Sequence, residues 1–372
     1  MKAATTVLVF CVGALLALGM VTLYSASMTK GGTYLLMQLV WAVIGIVACT
    51  TAASIDYRHL EKFAWALLGL GIGLLALVLV VGKDINGARR WFDLKVMHFQ
   101  PSEFAKVALI IALACYGERY QRSMGTFRRG FVVPGIMIGV TVVLIFAGRD
   151  YGTTMLLGAV SVAMLLVAGV LWRFILPSGI AVAGLLALAI INNPVRLARV
   201  MAWLNPDAHS EGVGYQARQA MFALGSGGWT GLGLGNGRQK LGWVPEHHTD
   251  FILSVIGEEL GLVATLGIVI AFVVILICGV YIAWNARDMF GQLLATGITT
   301  LITLQAFINI GVVTSTLPNK GLPLPFISYG GSNLLMMLAC VGLLLSVARH
   351  SAEQTTSEID SLEEGPVPQP AR

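Results

Sequence analysis

The run Val244-Pro245-Glu246-His247-His248-Thr249-Asp250-Phe251 places several ionisable groups directly ahead of a nearly unbroken apolar stretch that ends around Ala283. Glu258 and Glu259 fall close to the start of that stretch. A charged side chain at the centre of a membrane helix costs about 2.5–3.5 kcal/mol on insertion scales, so such residues usually face a cavity or a partner and mark a functional path. Position alone gives Asp250 two readings. It is a functional carboxylate at the mouth of a helix, facing a cavity or a partner, or it is an N-cap whose side chain accepts a backbone N–H bond.

Two other polar stretches flank apolar runs. The first holds Gly82-Lys83-Asp84-Ile85-Asn86-Gly87-Ala88-Arg89-Arg90-Trp91, then Gln100-Pro101-Ser102-Glu103-Phe104-Ala105-Lys106 at a helix start. Glu103 and Lys106 stand at i and i+3, on one helical face and within reach of each other. Such a pair also occurs for purely structural reasons. The second, from Leu317 through Lys320 to Ser332, holds Pro318, Pro323 and Pro325 and is too proline-rich to be helical throughout. Irregular backbone at membrane depth survives only where it is buried in protein or lines a cavity.

The elements that must position these residues follow from composition. Of 372 residues 56% are hydrophobic and 12% charged, with a mean hydropathy of +0.80. Soluble domains carry about 25% charged residues, so the chain is an integral membrane protein. Windows of membrane-spanning length predict about ten helices, near 5–24, 34–54, 62–82, 101–117, 131–147, 152–170, 174–192, 251–282, 290–314 and 331–348. The fold class is therefore all-α and polytopic: a single transmembrane domain over 1–350 with one large loop, 193–249, between the seventh and eighth spans. From Ser351 the composition turns acidic and proline-containing, which predicts a disordered tail over 351–372. The cysteines all lie in apolar runs, so packing rather than disulfide or metal chemistry is expected of them.

Within 193–249, residues 196–204 and 215–224 suggest two short amphipathic helices at the interface. The stretch Gly225–Arg238 is dense in glycine but matches neither a Walker loop nor a dinucleotide fingerprint, and reads as a loop that moves. With the N-terminus inside, Lys and Arg divide almost evenly between the two faces. That excess on the translocated face, which includes Arg90, Arg238 and Lys320, either anchors headgroups or meets an anionic ligand.

Taken together, Pro245–Phe251 with Ile256-Gly257-Glu258-Glu259-Leu260-Gly261, Asn86–Trp91, Pro101–Lys106 and Leu324-Pro325-Phe326-Ile327-Ser328-Tyr329-Gly330-Gly331-Ser332 resemble the SEDS family of bacterial shape, elongation, division and sporulation proteins. The match spans nearly the whole chain. Gly231–Asn236, Arg238–Leu241 and Asn319-Lys320-Gly321 are more similar to the division branch than to the elongation branch. The chain departs from the family at Arg149-Asp150, where a Glu-Pro pair commonly precedes the aspartate.

The resemblance implies a SEDS fold in the bacterial cytoplasmic (inner) membrane with both termini cytoplasmic and 193–249 outside. It implies a peptidoglycan glycosyltransferase that polymerises lipid II, an undecaprenyl diphosphate-linked disaccharide peptide, at the outer face during septal wall synthesis. Asp250 aligns with the family's essential aspartate. Inverting transfer needs a base on the acceptor hydroxyl, here Asp250, and stabilisation of the departing diphosphate. Arg90, Lys106, Arg238 and Lys320 are the candidates for the diphosphate, and Glu103, His248, Thr249 and Ser328 complete the expected substrate contacts. No ligand set has metal spacing, although a divalent cation (Mg or Mn) would suit the diphosphate.

The expected partners are a class B penicillin-binding protein transpeptidase, docked on the eighth and ninth helices, other divisome proteins and membrane lipids, with no nucleic acid. A stripe of small residues, Gly291, Ala295 and Thr299, marks the ninth helix as a close-approach surface, either for that partner or for a neighbouring helix of the same chain. Three alternatives stay open from the residues alone. They are an elongation-type polymerase, a lipid-linked precursor flippase or transporter using Glu103, Lys106, Glu258 and Glu259 as a charge relay, and a non-catalytic division scaffold.

Overall fold

The computed structural model describes residues 1–27, 33–85, 88–93, 98–205, 214–238, 240, 248–318 and 321–363. In chain order it contains α1 (Lys2–Ala26), α2 (Thr33–Ser54), α3 (His59–Val81), β1 (Lys83–Ile85), β2 (Ala88–Asp93), β3 (His98–Phe99), α4 (Pro101–Arg119) and α5 (Val133–Ala147). Then come α6 (Tyr151–Val167), α7 (Trp172–Ile191), α8 (Pro194–Leu204), α9 (Tyr215–Gly227), α10 (Ile252–Trp284), α11 (Met289–Val313) and α12 (Gly331–Glu363). Every expected span has its helix. Eight are long and apolar enough to cross a membrane. The other two are α4, which carries Glu103, Lys106, Glu118 and Arg119, and α6, which has 17 residues. Length and composition by themselves thus identify eight membrane-crossing candidates among the described residues.

Helix is the form these runs take because lipid leaves backbone groups no partner outside their own segment. Local signals set the ends. Pro101 opens α4 at a position where its missing N–H costs nothing. Asp150 caps α6 by accepting from the Thr153 N–H, and Asp288 caps α11 by accepting from the Gly291 N–H at 2.7 Å.

The helices α4 and α11 form the centre, with Leu109, Ile110, Leu294, Ile298 and Ile302 fully buried between their neighbours. Large apolar side chains such as Val43, Val80, Ile180, Ile277 and Trp284 point outward, as a lipid-facing belt requires. A small antiparallel sheet in the order β1-β2-β3, with Ile85 opposite Ala88 and Phe92 opposite Phe99, fills the turn between α3 and α4 and carries Arg90.

Two expectations change. Helix α12 continues past Ser351 to Glu363, so the acidic composition does not end the helix where a disordered tail was expected to begin. The stripe Gly291, Ala295 and Thr299 is buried, with Thr299 packed on Gly279 of α10 and Gly291 on the Tyr57 ring. Its small side chains bring α11 close to its own neighbours and leave no such groove for a partner.

Candidate active site at one end of the bundle

Asp250 is half-buried in a turn just ahead of α10. The N-cap position belongs to Phe251, so Asp250 is not the cap residue. Its backbone is held from two sides. The Asn309 Nδ2 of α11 donates to the Asp250 carbonyl at 2.8 Å and to the Leu322 carbonyl at 2.7 Å. The Ser328 hydroxyl donates to the Thr249 carbonyl at 2.6 Å and accepts from the Leu324 N–H at 2.8 Å. The Tyr329 N–H donates to the His248 carbonyl at 3.0 Å, and the His248 ring lies 4.8 Å from that of Tyr34. Gln38 of α2 donates to the Ser328 carbonyl and accepts from the Gly330 N–H.

The segment 321–330 is thus stitched to 248–250, and Asp250 faces Gly321 so closely that a Cβ there would meet its carboxylate. On the other side of Gly321 stands the start of α6. A Cβ added at Gly152 would lie 3.4 Å from the Gly321 carbonyl. Phe326 holds a left-handed backbone at φ 67 while 2% exposed, a conformation that costs about 1–3 kcal/mol and persists only where surrounding packing enforces it.

Glu103 and Lys106 form the expected pair, Nζ to Oε2 at 3.0 Å, but deep inside the protein, at 3% and 0% exposure. Asn333 of α12 donates to Glu103, Lys106 donates to Gln305 of α11, and the Gln305 amide donates to the Pro323 carbonyl. The network supports the 321–330 segment from below. This differs from the open cation expected of Lys106, whose ammonium is turned to protein partners.

Arg90 also has a local task. Its guanidinium donates to the Gly148 and Arg149 carbonyls, at 3.2 and 2.7 Å, and lies 3.9 Å from the Asp150 carboxylate. It closes the corner between α5 and α6, where Arg149 sits at φ 64. Gln100 bonds Asp150 through its amide and Ser332 through its N–H. Arg90, Asp150 and Ser102 together line a small hollow beside this corner.

Arg238 contributes its backbone: its N–H donates to Glu258 at 2.8 Å, while its side chain is exposed. The glycine-rich stretch is docked rather than loose. Helix α10 breaks at Gly261, φ 75, and the loop supplies the hydrogen bonds that the break removes. Lys320, like Glu246 and His247, lies outside the described residues. Among those described, no three His, Cys, Asp or Glu side chains group as metal ligands.

The structure therefore gathers Asp250, Thr249, His248 and Ser328 into one unit, supports it with Glu103 and Lys106, and sets Arg90 and Asp150 at the α5–α6 corner, Asp150 being two residues from the Gly152 that adjoins Gly321. Gln38, Gln305, Asn309 and Asn333 escaped the sequence reading. A signal existed for Gln305 and Asn309: polar residues four apart in a largely apolar helix share a face and rarely occur without a partner.

Comparison with known proteins agrees with this architecture. The FtsW/RodA/SpoVE cell cycle protein family matches residues 5–353. A probable peptidoglycan glycosyltransferase FtsW of Trichlorobacter lovleyi is 40% identical over 92% of each chain. A solved chain from work on the structural coordination of polymerization and crosslinking by a peptidoglycan synthase complex superposes with TM-score 0.80 at 31% identity, covering 92% of this chain and 97% of its own. The rod shape determining protein RodA of Thermus thermophilus gives TM-score 0.70 at 31% identity, with 92% and 96% covered. With nearly its whole length matched, the chain belongs to the FtsW/RodA/SpoVE family of cell cycle proteins.

Proposed function

We infer that this membrane protein is a peptidoglycan glycosyltransferase that polymerises lipid II at the outer face of the bacterial inner membrane, in septal wall synthesis. Relatives named peptidoglycan glycosyltransferase FtsW support the activity and the division role. The observation that carries the site is the fixing of Thr249 by Ser328 of 321–330 and of Asp250, outside the cap position, by Asn309 of α11.

Asp250 takes the proton of the acceptor hydroxyl as that oxygen attacks the donor sugar. The bond to the diphosphate breaks with inversion, and the diphosphate leaves without needing a proton donor. Arg90 is the best-placed described cation for its charge, with Lys320 and Arg238 as further candidates. Glu103 and Lys106 set the height of the 321–330 segment. A divalent cation, Mg or Mn, would have to be held by the substrate diphosphate itself, whose charge it would neutralise, since no three His, Cys, Asp or Glu side chains group as ligands among the described residues.

Both termini are placed inside, with α8, α9 and the Asp250 end outside. A class B penicillin-binding protein transpeptidase is the proposed partner within the divisome. Its single helix would lie along the outward face of α10, where Val263, Leu266, Ile270, Val273, Ile277 and Val280 are exposed at helical spacing.

Purified protein given labelled lipid II tests the reading. Glycan chains support it. Movement of lipid II between leaflets without polymer supports a flippase, and neither outcome leaves a scaffold. The flippase reading is weakened because its four relay residues fall in two networks, Glu103 and Lys106 under 321–330 and Glu258 and Glu259 against the glycine-rich loop.

A further inference from the structure

We propose that Lys240 and Glu259 are positioning residues of this site. With Ser25 they form a buried clamp on the far end of a short helical rod that carries Asp250 at its near end. The proposal rests on the reading of Asp250 as the base.

Helix α10 consists of two helices merged across Gly261, whose φ of 75 and ψ of −171 are non-helical. In an unbroken helix the carbonyls of Glu258 and Glu259 would accept from the N–H groups of Leu262 and Val263. Here both carbonyls accept instead from Leu232 and Gly233, at 3.0 and 2.9 Å, while Leu262 and Val263 donate to the carbonyls of Gly228 and Trp229, at 2.9 and 3.2 Å. The glycine-rich loop is inserted into the helix. Glycine is required on both sides of the junction, since a Cβ on Gly231 would strike the Glu259 carbonyl and one on Gly261 the backbone of Gly231 and Trp229.

The rod 252–260 is therefore not held in line with the rest of α10 by the usual ladder. Backbone bonds from the loop, together with side chains of the loop and of α1, set its direction. Lys240 Nζ donates to the Ser25 hydroxyl at 2.7 Å, to the Gly235 carbonyl at 2.9 Å and to Glu259. The Ser25 hydroxyl lies 2.7 Å from both Glu259 oxygens. Exposures are 4% for Lys240, 3% for Ser25 and 0% for Glu259. Glu258 takes the Arg238 N–H, so neighbouring carboxylates grip the same loop.

A buried ion pair is a weak source of net stability, because desolvation offsets the attraction; its charges instead penalise any geometry in which they part. That is a positioning property. The rod is about 12 Å long, so a tilt of about 5° at the clamp shifts its near end by about 1 Å, and a displacement of that size can cost about a hundredfold in rate. None of the clamp atoms needs to touch substrate.

The test uses the full-length protein and labelled lipid II, with Lys240→Met, Lys240→Arg, Gly231→Ala and the double variant Lys240→Met/Glu259→Gln. It measures kcat, KM for lipid II and hydrogen exchange across the chain. The expected result is that Lys240→Met and Gly231→Ala lower kcat by about tenfold or more with KM within about twofold, and speed exchange in 252–260 alone. Lys240→Arg recovers most of the rate. The double variant, which removes both charges of the Lys240–Glu259 pair, folds with normal yield and stays slow.

A folded double variant with kcat within about twofold of wild type overturns the proposal, as does unchanged exchange in 252–260. Loss of protection throughout the chain, in step with lost rate, also overturns it in favour of a purely structural pair. If Asp250→Asn proves as active as wild type, the base assignment fails, and exchange in 252–260 then decides the clamp by itself.

Discussion

Lys106 makes the residue-scale point most clearly. Its spacing from Glu103 on one helical face is legible from the letters alone, and the pair forms. Its depth is not, because burial depends on Gln305 and Asn333, which arrive from helices some two hundred residues away in sequence. Replacing it by Met leaves Glu103 charged and poorly compensated at 3% exposure, so Lys106→Met should destabilise the protein by about 3–5 kcal/mol. Thermal unfolding in detergent measures this, and Lys106→Met/Glu103→Gln should regain much of the loss. Asn309→Leu removes both bonds from its amide, to Asp250 and to Leu322. It should lower kcat by at least about tenfold while the protein remains folded, as read by lipid II polymerisation. Arg90→Ala should raise KM for the lipid-linked donor, and Arg90→Lys should restore little, since a lysine cannot span the Gly148 and Arg149 carbonyls as a planar fork does.

At the scale of elements, hydropathy windows of membrane-spanning length located every long helix, and α8 and α9 were visible as amphipathic segments over 196–204 and 215–224. The break in α10 was not. Gly261 looks like any other glycine of a long apolar run, and the reason for the break lies in backbone atoms of a loop 30 residues earlier, which has no side-chain signature beyond its glycines. The small-residue stripe on α11 failed as a docking surface for a similar reason. Small residues announce a close approach without saying to whom, and Gly279 of α10 is the answer for Thr299. Ala295→Leu should therefore impair folding rather than pairing with a partner. Ile270→Trp, on the exposed face of α10, should fold normally and abolish co-purification with a class B penicillin-binding protein. Retained co-purification would remove that face from the partner's path.

At the scale of the whole molecule, the alternating helices put all the chemistry-bearing segments at one end. Ser25, Arg90, Gln100, Asp150, Asp250 and Ser328 lie there, whereas at the other end Tyr57 and Arg58 bond Asp288, the Tyr57 N–H donates to Ser346 and Arg349 donates to the Ser54 carbonyl. Net charge could not reveal this division, because basic residues are spread over both ends. Cytoplasm-active reporters fused after Glu363 should work and those inserted between α8 and α9 should not, and the reverse pattern would invert the site's membrane face. The central claim is that Asp250 is the base for glycan synthesis, and Asp250→Asn tests it most directly because amide and carboxylate have the same shape. With labelled lipid II and the folded, full-length protein, the substitution should abolish polymer formation while thermal unfolding stays near that of wild type. Polymerisation within about tenfold of wild type would contradict the account and leave Asp250 a structural residue.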